Sequence, residues 1–282
     1  MTTQLCGILL HPAGHTLSPI LHRSAYDALG LDAVYLPFDV PADALPAAVS
    51  GMRALGIRQL SISIPHKQAV LGLADEISED ARRIGAANTL TRIGDRIRAD
   101  NTDWLGVCRT LEAMGPWQGR RATVLGAGGA ARAVVFALLE LGMEVTVSNR
   151  TPERARRLAQ ELGARTQAQP KAPDLLVNAT PLGMDPNPGD TPCPSGRLAP
   201  ETTVFDTVYR PLETRLLREA RERGCRTQDG LDMLVHQAVE QLRLWSGRSA
   251  DPVQLRRAAE EALRKGPEAP PPARGDERNR RT

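Results

Sequence analysis

The stretch Thr123-Val-Leu-Gly-Ala-Gly-Gly-Ala-Ala-Arg132 decides how this chain folds. An apolar, β-branched run from Ala122 to Leu125 meets a cluster of glycines. An alanine-rich amphipathic segment follows from Ala130 to Leu141 and stops at Gly142. That order predicts strand, tight turn and helix. Gly126, Gly128 and Ala131 hold the three small positions of a dinucleotide fingerprint, with Gly129 and Ala130 completing the loop. The first position permits the turn, the second lets backbone N–H groups approach a pyrophosphate, and the third lets helix and strand pack closely. Small-residue runs also serve plain helix–sheet packing, so the stretch alone leaves both readings open.

About twenty residues on, a second predicted strand, Glu144 to Ser148, ends in Asn149-Arg150-Thr151. A site for NAD places an acid there to accept from the ribose 2′-hydroxyl. This chain offers Arg150 instead, with Thr151 and Arg154 close behind, and a guanidinium fork suits the 2′-phosphate of NADP. Thr151-Pro152-Glu153 is also a good solvated helix start. Taken together, the two stretches favour NADP over NAD.

Working outward towards the N-terminus, Gln4 to Leu10 reads as a buried strand leading into a polar loop, His11 to Ser18. Ser18-Pro19 predicts a helix start, serine at the N-cap and proline at the next position, with the helix ending at Gly30. Ala33 to Val40 predicts a strand, Pro41 to Leu55 a helix and Arg58 to Ile64 a third strand. That strand runs into Pro65-His66-Lys67, where proline is expected to open another helix. Thr89 onward predicts a hairpin turning at Gly94-Asp95. Asp100-Asn-Thr-Asp103 then reads as the cap of a helix, Trp104 to Met114, and as a domain hinge. Strand–helix alternation of this kind predicts an α/β protein of two domains: an N-terminal α/β domain with a mostly parallel sheet, and a Rossmann-type NADP-binding domain.

On the C-terminal side, Asp174 to Val177 and Val204 to Asp206 predict strands, separated by a proline- and glycine-rich loop from Pro186 to Pro200. Helices are predicted to end at Arg223, and to run over Leu231 to Trp245 and Pro252 to Arg264. Gly266 to Thr282 has almost nothing to bury and is expected to be disordered.

The chain's 282 residues suffice for two domains. A net charge of +3 gives no reason to invoke nucleic acid. No apolar run spans a bilayer and no secretory leader is expected, so no membrane partner is foreseen. Cys6, Cys108, Cys193 and Cys225 are far apart and read as unpaired thiols of a cytoplasmic protein. His11 and His15 lie four apart with His22 near, but Pro12 and Gly14 make that segment a loop. The helical histidine pair of a metal hydrolase is missing, and no metal is expected.

Two side chains carry candidate chemistry. A lysine in the first turn of a helix faces the positive end of the dipole, and a nearby carboxylate opposes that effect. Lys67 and Asp103 would form such a pair, able to pass a proton to or from an alcohol while a nicotinamide handles the hydride. A surface lysine and an N-cap aspartate account equally for the two residues taken alone.

The chain resembles the shikimate dehydrogenase family, in order, from about Leu5 to about Gly247. The matching blocks are His15-Thr-Leu-Ser-Pro-Ile-Leu-His22, Ser63-Ile-Pro-His-Lys67, Gly85-Ala-Ala-Asn-Thr89, Asn101-Thr-Asp103, Gly126 to Arg132, Asn149-Arg-Thr151, Val177 to Met184, Asp206 to Pro211, and Gly230 to Gln237. The resemblance implies NADP-linked interconversion of 3-dehydroshikimate and shikimate in aromatic amino-acid biosynthesis. It implies Lys67 and Asp103 as the catalytic pair, and Thr16 and Ser18 on the substrate carboxylate, with Ser63 and Tyr209 beside it. Asn88, Asp103 and Gln237 would hold the ring hydroxyls. The implied cofactor set extends to Thr180, Gly183, Met184 and Gly230, with Gly183 and Met184 flanking the nicotinamide. The resemblance further implies a substrate domain of residues 1–103 completed by 233–265 and a nucleotide domain of 104–232. Monomer and homodimer both stay open.

Three positions depart from the usual pattern. Thr16 stands where the family has serine, and Ser61 and Ser63 stand where it has asparagine and threonine. These touch substrate choice, so a quinate or dual quinate/shikimate dehydrogenase is the alternative, and a non-catalytic NADP-binding sensor a more distant one.

Overall fold

A computed structural model describes residues 3–14, 16–166 and 173–265. Position 15 and the stretch 266–282 lie outside the described residues, so the expectations for His15 and for the tail have no structural counterpart.

The first half runs β1 (Gln4–Leu10), α1 (Ser18–Leu29), β2 (Ala33–Asp39), α2 (Leu45–Ala54), β3 (Gln59–Ile62), β4 (Glu76–Ile77), α3 (Glu79–Ile84), β5 (Thr89–Ile93), β6 (Arg96–Asp100) and α4 (Asp103–Glu112). These strands form a six-stranded sheet in the order β2-β1-β3-β5-β6-β4. Strand β1 pairs parallel with β2 and β3, and β4 with β6, while β5 is antiparallel to both β3 and β6. The predicted hairpin accounts for the antiparallel part.

The second half runs β7 (Arg121–Leu125), α5 (Gly129–Glu140), β8 (Glu144–Ser148), α6 (Pro152–Leu162), β9 (Arg165–Thr166), β10 (Leu175–Asn178), β11 (Thr203–Asp206), α7 (Arg215–Glu222) and β12 (Arg226–Gln228). Its sheet, in the order β12-β11-β10-β7-β8-β9, is parallel at every pairing. Strand order reverses between β7 and β10, so a crevice opens beyond their carboxyl ends, where ligands of such sheets bind. Ala122, Val124, Val145, Val147, Leu175 and Val177 are buried from both faces, as a parallel sheet covered by helices requires.

Helices α8 (Leu231–Ser246) and α9 (Pro252–Lys265) return to the first sheet. Leu231, Val235, Ala238 and Leu242 of α8 and Leu255 and Ala259 of α9 share a core with Cys6, Ile8 and Leu10 of β1 and Leu21 and Tyr26 of α1. Helix α8 also packs along α4, and its Met233 joins the core beneath the second sheet with Val107, Leu111 and Val124, so one helix joins the two halves.

Several local expectations are corrected. Leu17, not Ser18, occupies the N-cap of α1, and Ser18 lies inside the first turn with Pro19. The predicted helix over 41–55 splits into a 3-10 turn at Ala42–Ala44 and α2, because Pro46 starts a helix of its own. No α-helix opens at Pro65. Residues 64–68 form a turn leading to a 3-10 segment at Ala69–Leu73, so Lys67 has no helix dipole behind it. The short elements β4, α3, β9 and β12 are absent from the sequence reading. The strands are two or three residues long, too short to show alternation.

Candidate active site

The site is built up from the start of α4. Asn101 donates from Nδ2 to the Ala86 carbonyl at 2.8 Å, and its Oδ1 accepts from the Asp103 N–H at 3.0 Å. That arrangement aims the Asp103 carboxylate back across the sheet ends. Its Oδ1 accepts from Asn88 Nδ2 at 2.8 Å and its Oδ2 from Lys67 Nζ at 2.7 Å. The Lys67 side chain is 18% exposed and that of Asp103 5%, so the amine reaches the cleft and the carboxylate stands behind it. The Lys67 carbonyl accepts from the Ala87 N–H at 2.8 Å, which hangs both catalytic candidates on the strip Gly85 to Asn88.

Asn88 is buried and carries the rest of the cluster. Its Nδ2 lies 2.9 Å from Thr102 Oγ1 and 3.2 Å from Gln237 Oε1, and its Oδ1 accepts from the Thr102 N–H at 2.7 Å. Thr102 Oγ1 donates to the Gln237 carbonyl at 3.0 Å, tying α8 to α4. Lys67, Asn88, Asp103 and Gln237 are therefore brought together, although they are far apart in sequence.

A second group flanks them. The Ser18 N–H donates to Thr16 Oγ1 at 3.2 Å, and the two hydroxyls are 3.2 Å apart. Tyr209 is hydrogen-bonded to Thr16, and burial pushes its hydroxyl above the ordinary phenol range. Ser63 lines the cleft with Lys67 and Tyr209. Ser61 does not. It is buried within a polar network that the sequence reading missed. Tyr35 donates to Ser61 Oγ at 2.6 Å, Ser61 donates to Gln241 Oε1 at 2.8 Å, and His22 Nε2 lies 3.2 Å from the same oxygen. Gln241 Nε2 donates to the Asn88 carbonyl at 3.1 Å and to Thr89 Oγ1 at 3.0 Å. The His22 and Tyr35 rings stack at 4.1 Å, and burial lowers the His22 pKa to about 4. The one available signal was Gln241 following Gln237 by four residues, on the same face of α8.

The nucleotide-binding candidates line the same cleft, of about 830 Å³, from the other side: Gly126 to Ala130, Asn149, Arg150, Arg154, Thr180 and Met184. Ala131 is fully buried in the packing of α5 on its sheet, as the third small position requires. Thr151 is the N-cap of α6. Gly183 and Gly230 stand one layer back, the latter pressed against the Thr207 carbonyl. Asp206, fully buried, accepts from Thr214 Oγ1 at 2.7 Å, Asn178 Nδ2 at 2.9 Å and the Val208 N–H at 3.0 Å. Burial raises its pKa to about 6. Asn178 in turn accepts from the N–H and hydroxyl of Thr180 at 3.0 and 2.7 Å, and so shapes the loop that carries Met184.

The chain fits a phosphorylated dinucleotide at three points. Gly126 has φ +127°, and a Cβ there would stand 2.7 Å from the Ala179 carbonyl of the neighbouring strand end. Gly128 faces open space. Arg150 and Arg154 are exposed and pair with no carboxylate among the described residues, leaving two guanidinium groups at the cleft mouth. No group of three or more potential metal ligands occurs among the described residues.

Comparison with known proteins fits this geometry. Residues 8–90 match the shikimate dehydrogenase substrate binding domain, 110–179 match shikimate / quinate 5-dehydrogenase, and 230–260 match the shikimate 5′-dehydrogenase C-terminal domain. A shikimate dehydrogenase (NADP(+)) of Thermococcus kodakarensis is 43% identical over a 269-residue alignment that covers 93% of this chain and 97% of that protein. The chain belongs to the shikimate dehydrogenase family. Among solved members, shikimate 5-dehydrogenase from Thermus thermophilus, in complex with NADP(H) and shikimate, superposes with a TM-score of 0.87 at 43% identity. The match covers 92% of this chain and 99% of that one. The family also includes a quinate dehydrogenase from Corynebacterium glutamicum in complex with NAD. It has a TM-score of 0.84 and 32% identity, covering 92% of this chain and 99% of that one. No helix among the described residues is long and apolar enough to cross a membrane.

Proposed function

We propose that this chain is an NADP-dependent shikimate dehydrogenase that reduces 3-dehydroshikimate to shikimate, reversibly, in the cytoplasm. The observation that carries the reading is the Lys67–Asp103 pair, set at 2.7 Å where the glycine loop shares one cleft with Ser63 and Tyr209. Bound NADPH supplies the hydride. Lys67 Nζ gives the proton to the oxygen that becomes the alcohol, and recovers it in the oxidation direction. Asp103 orients the amine through Oδ2 while Asn88 holds Oδ1, so the carboxylate cannot rotate away. The hydroxyls of Thr16, Ser18 and Tyr209, with Ser63 beside them, take the substrate carboxylate, and Asn88 and Gln237 the ring hydroxyls. Gly126 to Ala131 and the loop from Thr180 to Met184, backed by Gly230, hold the dinucleotide. Arg150 and Arg154, with Asn149 and Thr151, hold its adenosine end.

In this reading residues 1–103 and 233–265 form the substrate lobe and 104–232 the nucleotide lobe. The four cysteines among the described residues are all unpaired and buried, which supports a reducing compartment. Gel filtration distinguishes the monomer from the homodimer. Quinate oxidation is the second reading, favoured by Ser63 facing the cleft where the family has a bulkier threonine. A panel of 3-dehydroshikimate, shikimate and quinate with NADP(H) and NAD(H) tests the proposal. Turnover of the shikimate pair with NADP(H) is expected to be the fastest. Faster quinate turnover would favour the second reading, and cofactor binding without any turnover would favour a sensor.

A further inference from the structure

The sequence reading assigns Gly129 to the cofactor along with its neighbours, but its surroundings differ from theirs. Its φ is outside the left-handed region, so its backbone suits any residue. It is the first residue of α5, where alanine is a better helix former. What excludes a side chain is Lys67. A Cβ on Gly129 would lie 2.8 Å from Lys67 Cβ, 3.3 Å from Cδ and 3.5 Å from Cγ. A Cβ on Gly128, by contrast, would meet no other part of the chain within 4 Å.

Neither partner is free to step aside. Helix α5 presents positions 129, 132, 133 and 136, one helical face, to the substrate side. Arg132 donates from Nε to the Ile84 carbonyl and bonds Glu161 at 2.6 Å. Ala133 and Phe136 share a small core with Ile84 and Ala86. Phe136 also meets Trp104 edge-on at 5.3 Å. On the lysine side, the turn is held by the Ala87-to-Lys67 bond and by His66, whose Nε2 lies 2.7 Å from the Val40 carbonyl.

We propose that Gly129 is a positioning residue for Lys67. The absent side chain lets the first turn of the nucleotide helix act as the wall against which the lysine stem is set, so that Nζ meets Asp103. This rests on the reading of Lys67 as the proton-transfer group. The contact also joins the nucleotide loop to the proton donor without any intervening residue.

The test is a double-mutant cycle on the full chain. Gly129→Ala is expected to lower kcat roughly ten- to a hundredfold, since an ångström of misplacement carries about that penalty. NADPH affinity, read by fluorescence, should weaken by a smaller factor than kcat falls, since the backbone N–H that Gly129 offers the dinucleotide stays in place. In the Lys67→Gly background, which removes both the proton-transfer group and the colliding Cβ, Gly129→Ala should produce no further loss of kcat. Gly128→Ala should show the opposite signature, weakened NADPH binding with kcat at saturation retained. Equal kcat losses from Gly129→Ala in both backgrounds would overturn the proposal, as would unchanged kcat with NADPH binding weakened more than tenfold. If Gly129→Ala does not fold, Gly129→Ala with Lys67→Gly removes the colliding atoms. Recovery of the fold supports the contact, and continued unfolding refutes it. A fully active Lys67→Ala variant would refute the role of Lys67 itself, a result distinct from an active Gly129→Ala enzyme with Lys67→Ala inactive.

Discussion

Replacing Arg150 with alanine should weaken NADPH and spare NADH. Two unit charges about 4 Å apart interact by about 1 kcal/mol in water and about 4 kcal/mol at an effective dielectric of 20. Arg150 and Arg154 are both exposed, which places the site near the weaker end. A ribose 2′-phosphate carries nearly two charges at neutral pH, so losing one guanidinium costs about 2 kcal/mol, close to thirtyfold in affinity. The second arginine keeps the loss from growing larger. Since the phosphate would sit in solvent, screening has to act on it, with a Debye length of about 10 Å at 0.1 M salt and about 3 Å at 1 M. Dissociation constants for both cofactors, measured by fluorescence in low and high salt, provide the assay. The expected pattern is a large NADPH loss at low salt, a smaller one at high salt, and NADH unchanged throughout. Parallel weakening of both cofactors would refute the 2′-phosphate assignment. A salt-independent loss would mean that Arg150 acts by packing.

Three other outcomes are expected. Lys67→Ala should reduce kcat by roughly a hundred- to ten-thousandfold with a smaller change in KM, and a variant above about a tenth of wild-type kcat would remove Lys67 from the mechanism. His22, with its pKa lowered to about 4, contributes stability that is present above pH 6.5 and is lost as the pH falls from 6.5 towards 4, about 3 kcal/mol in all. Urea midpoints at pH 7 and 4.5 should therefore separate less in His22→Asn than in the wild type, and identical acid slopes would show that another group carries the loss. Ser63→Thr should lower quinate kcat/KM more than shikimate kcat/KM, within the range of about 1–3 kcal/mol that a methyl group commands. An unmoved ratio would mean that Ser63 does not meet the carboxylate end.

The parts of this protein that were legible in its sequence are those where one residue type answers one local demand. Ala122 to Leu125 must be a buried strand, and the glycines after it must turn, whatever lies elsewhere. Arg150 stands out at the end of β8 because an acid is the alternative there, and the structure sets it at the cleft mouth. Lys67 stands out as a candidate proton carrier, but its geometry does not follow from the sequence. The sequence places proline before it, which suggests a helix start, whereas the chain makes a turn and a short 3-10 segment. The lysine is set by its ion pair and by the strip Gly85 to Asn88, both formed with residues remote in sequence. Ser61 illustrates the same limit. As a departure from the family pattern it pointed towards substrate choice, yet its hydroxyl is occupied by Tyr35 and Gln241 and reaches the site only through them.

Three glycines within four positions make the physical reason plain. Gly126 is required by its φ and by a carbonyl of the adjacent strand, Gly128 has open space in front of it, and Gly129 is pressed against a lysine sixty-two positions earlier in the chain. A fingerprint treats them as one feature because each tolerates only a small residue. The constraint on the first is mostly local, and that on the second is, on the proposed reading, the cofactor's. The third arises where two lobes meet. A sequence pattern records that no side chain fits, but not which atoms exclude it. Residues whose neighbours come from the other lobe, such as Gly129 and Arg132, are therefore the ones whose work emerges only when the two sheets are joined.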